Sequence, residues 1–579
     1  MSGADTYLGL RAFVDELARC GVRHACTSPG SRSTPLVLSL AREPRLRTTS
    51  HLDERCAAFF ALGQAKATGL PTAITCTSGT AAVNFAPAVF EAHEARVPLL
   101  VLTADRPPEL RELGAGQTID QLKLYGSAAK WFFDVDDHPA TAERLRWLRT
   151  LACRAVWTAL EGRPGVVHLN FALREPLVLD ESLPADEPGG GGRPGRRPWL
   201  ERPRSAGRVD AQVLATLNRR LAAATRPVIV AGREERDSAS GEALAAFAAR
   251  AGIPLLADPL SGARRGPAAV AHYDALLRDP DWAAARACDV VLRVGDLPTS
   301  KPLRAWLDSG SHGMQVAFDP ETAWQDPAGR VEVTIPAAAG AVLDGLEIHP
   351  TPERREWLDF WRGADRRAAG AIADVLGASG LSEPRVVAEL GSWLEPGTTL
   401  VVASSMPVRD AETFFPARPG AVPRVLSNRG ANGIDGTVST AFGVAAATRE
   451  PTVLLIGDVS LAYDVGGLLA ARRNDVPLVM VVLNNDGGGI FSFLDVAREG
   501  EDFERHVATP HGLDFAHAAA LYSCGHRRVT TPGDLRDAVT GALAERACTL
   551  VEVRTRRDEN VELHRGVWSA VRDAMAPSA

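Results

Sequence analysis

The chain has 579 residues, of which 45% are hydrophobic and 23% are charged, and its formal net charge at pH 7 is −7. This length suggests three or four domains with ample apolar material for their cores, and the composition excludes a largely disordered chain. The modest acidic balance gives nucleic acid and anionic membranes no electrostatic reason to bind. No apolar run approaches 18 residues, so we expect no membrane segment.

The eight cysteines are scattered along the chain, and none forms a C-x-x-C pair or a zinc-finger spacing with histidine. Cys76 lies in an apolar run and Cys153 in a helix-like stretch, which indicates buried, reduced thiols. The N-terminus lacks the basic and apolar segments of a secretory signal. We therefore expect a cytoplasmic protein.

Short runs rich in β-branched residues recur along the chain, and each is followed by a turn and an alanine-rich stretch. They are Pro71–Cys76, Val97–Thr103, Pro227–Val230, Asp289–Val294, Thr399–Ala403, Pro451–Ile456 and Pro477–Leu483. Because these runs are continuously apolar, they predict strands buried on both faces of parallel sheets. Helical periodicity between them, as in Asp53–Thr68 and Glu242–Ala251, completes the pattern of an α/β protein.

Two breaks divide the chain into three α/β units. Residues 185–204 are dense in proline, glycine and arginine, which predicts a linker. A second break near residue 350 separates a central unit from the last series of strands and helices. We therefore predict doubly wound parallel-sheet domains at 1–184, 205–350 and 351–579.

The most informative stretch follows two of the predicted strands. Gly457–Ser460 comes directly after one strand, and Asn484–Gly489 comes directly after the next. Carboxyl ends of parallel strands are where open α/β sheets bind ligands. The Asp458 carboxylate, the Asn485 side-chain carbonyl and one backbone carbonyl would supply the oxygen ligands that Mg²⁺ prefers, with room for phosphate oxygens. The alternative is that both stretches are ordinary turns after strands.

A Gly-Asp pair followed about 25 residues later by Asn-Asn resembles the motif of thiamine diphosphate (ThDP) enzymes. Val459 stands where that motif usually has glycine. ThDP also needs a carboxylate near its aminopyrimidine ring, and Glu54, at the start of a predicted helix, is the candidate. Asp53 is an equally good choice by itself, and either acid could serve only the helix dipole. The metal motif downstream favours the catalytic interpretation of Glu54.

Several blocks, in order along the chain, resemble the family of 2-succinyl-5-enolpyruvyl-6-hydroxy-3-cyclohexene-1-carboxylate (SEPHCHC) synthases among ThDP-dependent 2-oxoacid enzymes. The blocks are Thr27–Leu36 (TSPGSRSTPL), His51–Arg55 (HLDER), Thr103–Leu110 (TADRPPEL), Ser427–Gly436 (SNRGANGIDG), and Gly457–Ser460 (GDVS) with Asn484–Phe491 (NNDGGGIF). The resemblance implies a pyrimidine-binding domain at 1–184, a central domain at 205–350 and a diphosphate- and Mg²⁺-binding domain at 351–579. It also implies a homodimer or homotetramer with active sites between subunits.

The reaction that the resemblance implies is the decarboxylation of 2-oxoglutarate and the addition of the resulting succinyl carbanion to isochorismate in menaquinone biosynthesis. Glu54 would activate ThDP, and Ile434 would hold the cofactor in its bent shape. Asp458, Asn485 and Gly487 would bind Mg²⁺, with Mn²⁺ as an alternative. The other cofactor-contacting residues implied are Ser405, Met406, Gly457, Val459, Ser460, Gly488, Gly489, Ile490 and Phe491.

Both substrates are dicarboxylates, and the planar fork of a guanidinium binds a carboxylate with two hydrogen bonds. Four arginines lie inside or beside the motif blocks, and the resemblance adds a lysine and two polar side chains. The substrate-binding residues implied are Ser31, Arg32, Arg106, Gln117, Lys301, Arg409 and Arg429, of which Arg32, Gln117, Arg409 and Arg429 are also assigned to catalysis. Gly116 stands where the family pattern has asparagine, so one expected side-chain contact is missing.

Two other functions fit parts of the sequence. The first is a ThDP-dependent 2-oxoacid decarboxylase or acetolactate-type synthase, although an enzyme of pyruvate has little use for several extra cations. The second is a non-catalytic protein that keeps this architecture, which would have no need for Glu54, Asp458 and Asn485 together. The absence of a G-x-G-x-x-G after a strand argues against a nicotinamide dehydrogenase. We interpret His51 as structural and His511 as part of a surface turn.

Overall fold

The computed structural model describes residues 3–178, 183, 190–203, 209–235 and 238–576. Within these residues the chain forms three six-stranded sheets, and neighbouring strands in all three are parallel. Helices alternate with the strands along the chain. The predicted fold class, α/β with three doubly wound parallel sheets, is confirmed.

The eighteen strands within the described residues divide equally among the three sheets. The first sheet contains β1 (His24–Thr27), β2 (Arg47–Ser50), β3 (Thr72–Cys76), β4 (Leu99–Asp105), β5 (Ala129–Val135) and β6 (Val166–Ala172), in the order β2-β1-β3-β4-β6-β5. The second contains β7 (Pro227–Ala231), β8 (Leu255–Ala257), β9 (Ala269–Val270), β10 (Val290–Val294), β11 (Met314–Phe318) and β12 (Val333–Ile335), in the order β12-β11-β10-β7-β8-β9. The third contains β13 (Thr399–Val402), β14 (Arg424–Leu426), β15 (Thr452–Gly457), β16 (Val479–Asn484), β17 (Gly525–Val529) and β18 (Thr549–Arg554), in the order β14-β13-β15-β16-β18-β17.

The helices of the described residues are numbered along the chain. Those in the first part of the chain are α1 (Gly3–Arg19), α2 (Thr34–Ala41), α3 (Glu54–Thr68), α4 (Thr80–Asn84), α5 (Ala86–Ala95) and α6 (Ala142–Leu160). The central part has α7 (Ala211–Ala223), α8 (Ser238–Ala251), α9 (Tyr273–Leu276), α10 (Pro280–Ala284), α11 (Lys301–Asp308) and α12 (Ala339–Leu343). The last part has α13 (Pro352–Ala378), α14 (Glu383–Trp393), α15 (Met406–Phe414), α16 (Thr437–Thr448), α17 (Asp458–Tyr463), α18 (Leu469–Arg473), α19 (Glu501–Phe503), α20 (Phe515–Leu521), α21 (Pro532–Glu545) and α22 (Arg557–Met575).

Each of the seven predicted strands is present, with ends that differ by at most two residues from the prediction. The predicted helix at 53–68 is α3, which starts one residue later because Asp53 caps it, and the one at 242–251 is α8, which starts four residues earlier. All seven residues of β4 are buried, as expected for a strand covered on both faces.

By their contacts the described residues cluster into two compact units. One consists of residues 1–205, 428–449 and 463–476 and carries the first sheet, whereas the other consists of residues 206–427, 450–462 and 477–579 and carries the second and third sheets. Within the second unit one apolar core includes side chains beside both sheets, among them Val228, Trp361 and Leu455. The boundaries predicted at 184, 204 and 350 remain predictions.

Part of the predicted linker packs against the first sheet's helices. Residues 184–189 and 204 lie outside the described residues. In the described part, the backbone N–H of Trp199 donates to the buried carboxylate of Glu16, and Arg149 Nε donates to the carbonyl of Gly190 at 3.1 Å. This segment is therefore held by buried charged groups of α1 and α6.

The closest helix crossing of the first unit joins α3 to α16. A Cβ atom at Gly63 would lie 2.0 Å from the carbonyl oxygen of Thr440, and one at Gly443 would lie 2.0 Å from that of Phe60. Only glycine lets the two backbones approach this closely. The crossing fixes the position of the helix that starts at Glu54.

Candidate active site

The predicted metal motif lies at the carboxyl edge of the third sheet. Strands β15 and β16 are neighbours in parallel register, with Gly457 opposite Leu483. Because both strands end at the same edge, Asp458 and Asn485 follow them into one region. The N–H of Gly487 donates to Asp458 Oδ2 at 3.0 Å, which joins the two loops directly.

Asp458 is almost fully buried and is the centre of this region. Its Oδ1 accepts a hydrogen bond from the N–H of Val459 at 2.8 Å, and its Oδ2 accepts from Gly487 and, at 3.2 Å, from Nε2 of His511. Burial raises the pKa of the Asp458 carboxyl, although these donors oppose the shift. A buried carboxylate with this raised pKa suits the binding of a cation, which would stabilise its charged form.

Asn485 has one satisfied and one unsatisfied polar atom. Its Nδ2 donates to Glu383 Oε1 at 2.8 Å, whereas its Oδ1 is buried and has no hydrogen-bond partner. A buried carbonyl oxygen without a donor is uncommon in a folded protein and suits a metal ion. The donor set of two side-chain oxygens and a nearby backbone carbonyl therefore fits Mg²⁺.

The loop after β16 has a conformation that requires glycine. Gly487 has a φ of 139°, and a Cβ atom there would lie 2.5 Å from the carbonyl oxygen of Ala508. The N–H of Gly488 donates to the same carbonyl at 2.7 Å, and a short 3₁₀ helix follows at Gly489–Phe493. This loop therefore holds Gly487 in contact with Asp458.

Two residues of this region were not found from the sequence. The interpretation of His511 as part of a surface turn is wrong, since its ring contacts Asp458. The N–H of Leu513 donates to His511 Nδ1 at 3.0 Å, so the proton is on Nε2, which donates to the aspartate. Glu383, the other residue, gave no signal because it lies 102 residues before its partner Asn485.

The first unit carries the candidate for the catalytic acid. Asp53 is the N-cap of α3, and its Oδ1 accepts from the N–H groups of Arg55 and Cys56 at 2.8 and 3.3 Å. Asp53 is thereby engaged with the backbone, which leaves Glu54 as the candidate for contact with a cofactor. Burial raises the pKa of the Glu54 carboxyl, and the charge of Asp53 raises it further.

The start of α3 is held by a buried aspartate. Asp464 is fully buried; its Oδ2 accepts from the N–H of Ser439 at 2.8 Å, and its Oδ1 accepts from the hydroxyl of Ser439 and from the Cys56 thiol. Burial raises the pKa of Asp464 to about 6. Arg55 adds a hydrogen bond to the carbonyl of Tyr463 at 3.2 Å. These contacts fix the two residues that follow Glu54.

The block at 427–436 forms a loop whose backbone is hydrogen-bonded to a buried glutamate of the first unit. The buried carboxylate of Glu91 accepts from the N–H groups of Gly430 at 2.8 Å and Ala431 at 2.6 Å. Arg429 and Ile434, which lie in this loop, are both partly exposed, and the carbonyl of Ile434 accepts from the Thr437 hydroxyl at 3.2 Å. The loop thus presents both candidates at the surface of the unit.

Three candidate substrate residues lie close together in the first unit. Arg106 donates to the hydroxyl of Ser78 and, at 2.7 Å, to the carbonyl of Gly116, while Gln117 Nε2 donates to the carbonyl of Ser78 at 3.1 Å. Burial, and then the charge of Arg106, lower the pKa of Arg32. The two guanidinium groups are therefore near enough for their charges to interact, and each could bind a carboxylate.

The first turn of α15 and its N-cap carry three further candidates, in the second unit. Ser405 has a φ of 77°, which strains a residue other than glycine. Its carbonyl accepts from Arg409 Nη1 at 2.5 Å, and Met406 is buried at the first position of the helix. Burial lowers the pKa of Arg409. Strain of this kind is often found where the backbone contacts a ligand.

Comparison with known proteins gives the family. Residues 9–124 match the N-terminal TPP binding domain of thiamine pyrophosphate enzymes, residues 195–402 match the middle domain of thiamine pyrophosphate, and residues 410–553 match the C-terminal TPP binding domain. A SEPHCHC synthase of Chloroflexus aurantiacus is 43% identical over 577 residues, which cover 98% of this chain and 96% of that protein. This chain belongs to the SEPHCHC synthase family.

Further members of the family give the same result. The SEPHCHC synthase of Geobacillus thermodenitrificans is 42% identical over 98% of this chain and 96% of its own length. That of Halobacterium salinarum is 41% identical over 95% of both chains. The predictions of a ThDP-dependent enzyme and of membership in the SEPHCHC synthase family are confirmed. Across the described residues, no helix has both the length and the apolar character of a membrane span.

The remaining candidates of this SEPHCHC synthase family member are placed as follows. Ser31 is exposed after β1, and Lys301 is exposed at the first position of α11 beside the second sheet. The other residues belong to the metal motif: Gly457 ends β15, Val459 and Ser460 lie in α17, and the residues after β16 are Gly488, Gly489, Ile490 and Phe491. The structure therefore groups the candidates into sets within each unit, with Glu54 and Ile434 in the first and the metal motif in the second.

Proposed function

We propose that this chain is a ThDP- and Mg²⁺-dependent transferase that decarboxylates 2-oxoglutarate and adds the succinyl carbanion to isochorismate. The products are SEPHCHC and carbon dioxide, and the step serves menaquinone biosynthesis. One observation carries the proposal. Asp458 and Asn485 lie at one sheet edge, and the buried side-chain oxygen of Asn485 has no hydrogen-bond partner there. Relatives that match nearly the full chain are SEPHCHC synthases.

The metal and the cofactor would be held by the loops after β15 and β16. Asp458, Asn485 Oδ1 and the carbonyl of Gly487 would bind Mg²⁺, or Mn²⁺ in its place. The diphosphate would be contacted by the other residues of the motif, Gly457 to Ser460 and Gly488 to Phe491. Ser405 and Met406, at the start of α15, would also contact the cofactor. Bound ThDP supplies the carbanion chemistry that protein side chains lack.

Glu54 would hold a proton at the aminopyrimidine ring. Its raised pKa supports this role, because a carboxyl whose pKa lies closer to neutrality exchanges a proton more readily at physiological pH. Ile434 lies on the loop whose backbone Glu91 binds, and its side chain would hold ThDP in its bent shape.

The arginines would bind the substrate carboxylates. Arg32 and Arg106 are neighbours, and Gln117 shares the contact of Arg106 with Ser78, so these three would bind one substrate. Arg409 and Arg429 would bind further carboxylate groups, and Lys301 and Ser31 would add outer contacts. Arg32 pairs with Glu175 at 3.2 Å in the chain alone, and a substrate carboxylate would join or replace this ion pair.

We further propose that the enzyme is at least a homodimer, or a homotetramer, with active sites between subunits, and that it is located in the cytoplasm. The first unit exposes several large apolar side chains, among them Leu52 at 56%, Phe90 at 49% and Leu113 at 76%. Contact with a second copy would cover exposed apolar side chains of this size. Light scattering with size-exclusion chromatography should give at least twice the mass of one chain.

The proposed reaction is tested by incubation of the purified protein with ThDP, Mg²⁺, 2-oxoglutarate and isochorismate. Mass spectrometry should detect SEPHCHC in amounts that match the carbon dioxide released. Pyruvate in place of 2-oxoglutarate should give little product, because it lacks the second carboxylate that the arginines bind. Equal or faster turnover of pyruvate without isochorismate would contradict the proposal and favour a simple decarboxylase.

A further inference from the structure

Glu383, the first residue of α14, is a buried acid for which the proposed reaction has no direct use. Its side chain is 1% exposed, and it lies in the second unit with the metal motif. Its Oε1 accepts from Asn485 Nδ2 and from the Thr555 hydroxyl, both at 2.8 Å, and its Oε2 accepts from Asn560 Nδ2 at 3.1 Å. Three donors therefore converge on one carboxylate.

This arrangement fixes the orientation of the Asn485 amide. An ionised carboxylate only accepts hydrogen bonds, so the atom of Asn485 that contacts this form of Glu383 is the NH₂ group. The carbonyl oxygen consequently points the other way, where it is buried without a donor. Without Glu383 the amide could rotate by half a turn and present its NH₂ group to a cation, which repels it.

Glu383 is itself held from the opposite side. Asn560, which donates to its Oε2, also accepts at its backbone carbonyl a hydrogen bond from His564 Nδ1 at 2.8 Å. His564 Nε2 in turn contacts the buried Asp410 at 2.9 Å. A carboxylate that is anchored by a buried network keeps one position, so it can specify the position of its partner.

We infer that Glu383 is a positioning residue of the metal site, which acts by holding Asn485 with its carbonyl oxygen toward the cation. The inference rests on the proposed function, because it takes Asn485 as a metal ligand. Groups that orient metal ligands through hydrogen bonds commonly change metal affinity by about 10- to 100-fold when they are removed.

The test measures ThDP binding by isothermal titration calorimetry at a series of Mg²⁺ concentrations, with the full-length enzyme. In Glu383→Gln, the side chain has one accepting oxygen and one NH₂ group in place of two accepting oxygens. Its NH₂ group therefore faces either Asn485 or Asn560, and it cannot accept hydrogen bonds from both. The Mg²⁺ concentration that supports half-maximal ThDP binding should rise by about 10-fold or more. Turnover at saturating Mg²⁺ should fall much less.

A second substitution distinguishes orientation from a general structural role. In the double variant Glu383→Gln with Asn485→Asp, the new amide donates to the new carboxylate, which again presents an oxygen to the metal. The Mg²⁺ requirement should return to within about threefold of the wild-type value. Thr555→Val is the matched control, since it removes another donor to the same Oε1 and should leave the Mg²⁺ requirement within about threefold.

The outcomes separate the inference from the proposed function. If the wild-type enzyme binds ThDP with no dependence on Mg²⁺, the proposed metal site fails. Glu383→Asp, which is too short to reach Asn485, is measured beside Glu383→Gln with the same expectation, and by itself should Glu383→Gln not fold, as judged by circular dichroism. If wild type depends on Mg²⁺ and the folded variants both have the same requirement, the inference alone is overturned. Failure of the double variant to recover would also overturn it.

Discussion

The surroundings of Glu54 and those of the metal motif are held in place by different means. In the first unit, buried carboxylates accept hydrogen bonds from backbone N–H groups, as Glu91 does from Gly430 and Asp464 from Ser439. The helix that starts at Glu54 is placed further by the close crossing at Gly63. Here the protein fixes the course of the main chain, and the functional side chain follows from it.

In the second unit two backbone N–H groups donate to Asp458, and in addition a side chain contacts each of the two proposed metal ligands. Glu383 contacts the amide of Asn485, and His511 contacts the carboxylate of Asp458. The difference is reasonable, because a metal ion requires defined positions of single oxygen atoms. We therefore expect the first region to be sensitive to added volume and the second to lost hydrogen bonds.

The largest effect is expected at the catalytic acid. Glu54→Gln should lower turnover by about 10³-fold, since the amide cannot exchange the proton that the carboxyl exchanges. The affinity for ThDP should remain near that of wild type. Asp53→Asn, which keeps an N-cap oxygen, is the control and should retain most of the activity. Steady-state assays with calorimetric ThDP binding test both; unchanged turnover in Glu54→Gln would refute the role assigned to this residue.

The helix crossing provides the next largest effect. Gly443→Ala would place a methyl group 2.0 Å from the carbonyl oxygen of Phe60, and backbone cannot yield as a flexible side chain does. We expect a loss of about 3 kcal/mol or more in the free energy of unfolding. Gly370→Ala, at an exposed position of α13 with no atom within 4 Å, should change stability by less than about 1 kcal/mol. Equal thermal midpoints for the two variants would show that the crossing tolerates a side chain.

A smaller effect is expected in the pH dependence of stability. The pKa of Asp464 is raised to about 6 in the folded protein, so the folded state binds this proton more tightly than the unfolded state does. The stability that this group contributes is therefore present at low pH and is lost as the pH rises through about 6, by roughly 2–3 kcal/mol in total. Thermal midpoints of wild type and Asp464→Asn, measured from pH 4 to 7, should diverge in this direction because asparagine does not titrate. A constant difference would disprove this assignment.

The smallest effect is expected at His511. His511→Ala removes one of the hydrogen bonds to Asp458 but leaves those from Val459 and Gly487. The Mg²⁺ requirement for ThDP binding should rise by about 3- to 10-fold. His511→Asn and His511→Gln, which offer an NH₂ donor, should show whether the hydrogen bond or the ring matters. An unchanged requirement in His511→Ala would restrict this side chain to a structural role.

The elements that depend on local sequence could be predicted, and the contacts between distant segments could not. Apolar runs gave β15 and β16, and the polar residues after them gave Asp458 and Asn485, because side chains at adjacent strand ends must lie together. Glu383 and His511 have no such signal. Their function comes from partners 102 and 53 residues away, and an isolated glutamate or histidine in a loop is consistent with many roles.

The division into units shows the same limit. Residues 428–449 and 463–476 cluster with the first part of the chain, and no composition break in the sequence indicates this. The glycines that allow this contact, Gly63 and Gly443, look like ordinary residues of alanine-rich helices. Their importance is visible only when the partner backbone is known.

The most direct test of the account is a crystal structure of the assembled enzyme with ThDP and Mg²⁺. We predict that the metal contacts Asp458, Asn485 Oδ1 and the carbonyl of Gly487, and that a Glu54 carboxylate from one of the subunits lies within hydrogen-bond distance of the aminopyrimidine ring. A structure in which every Glu54 of the assembly lies far from the cofactor, or in which the metal has other ligands, would contradict it.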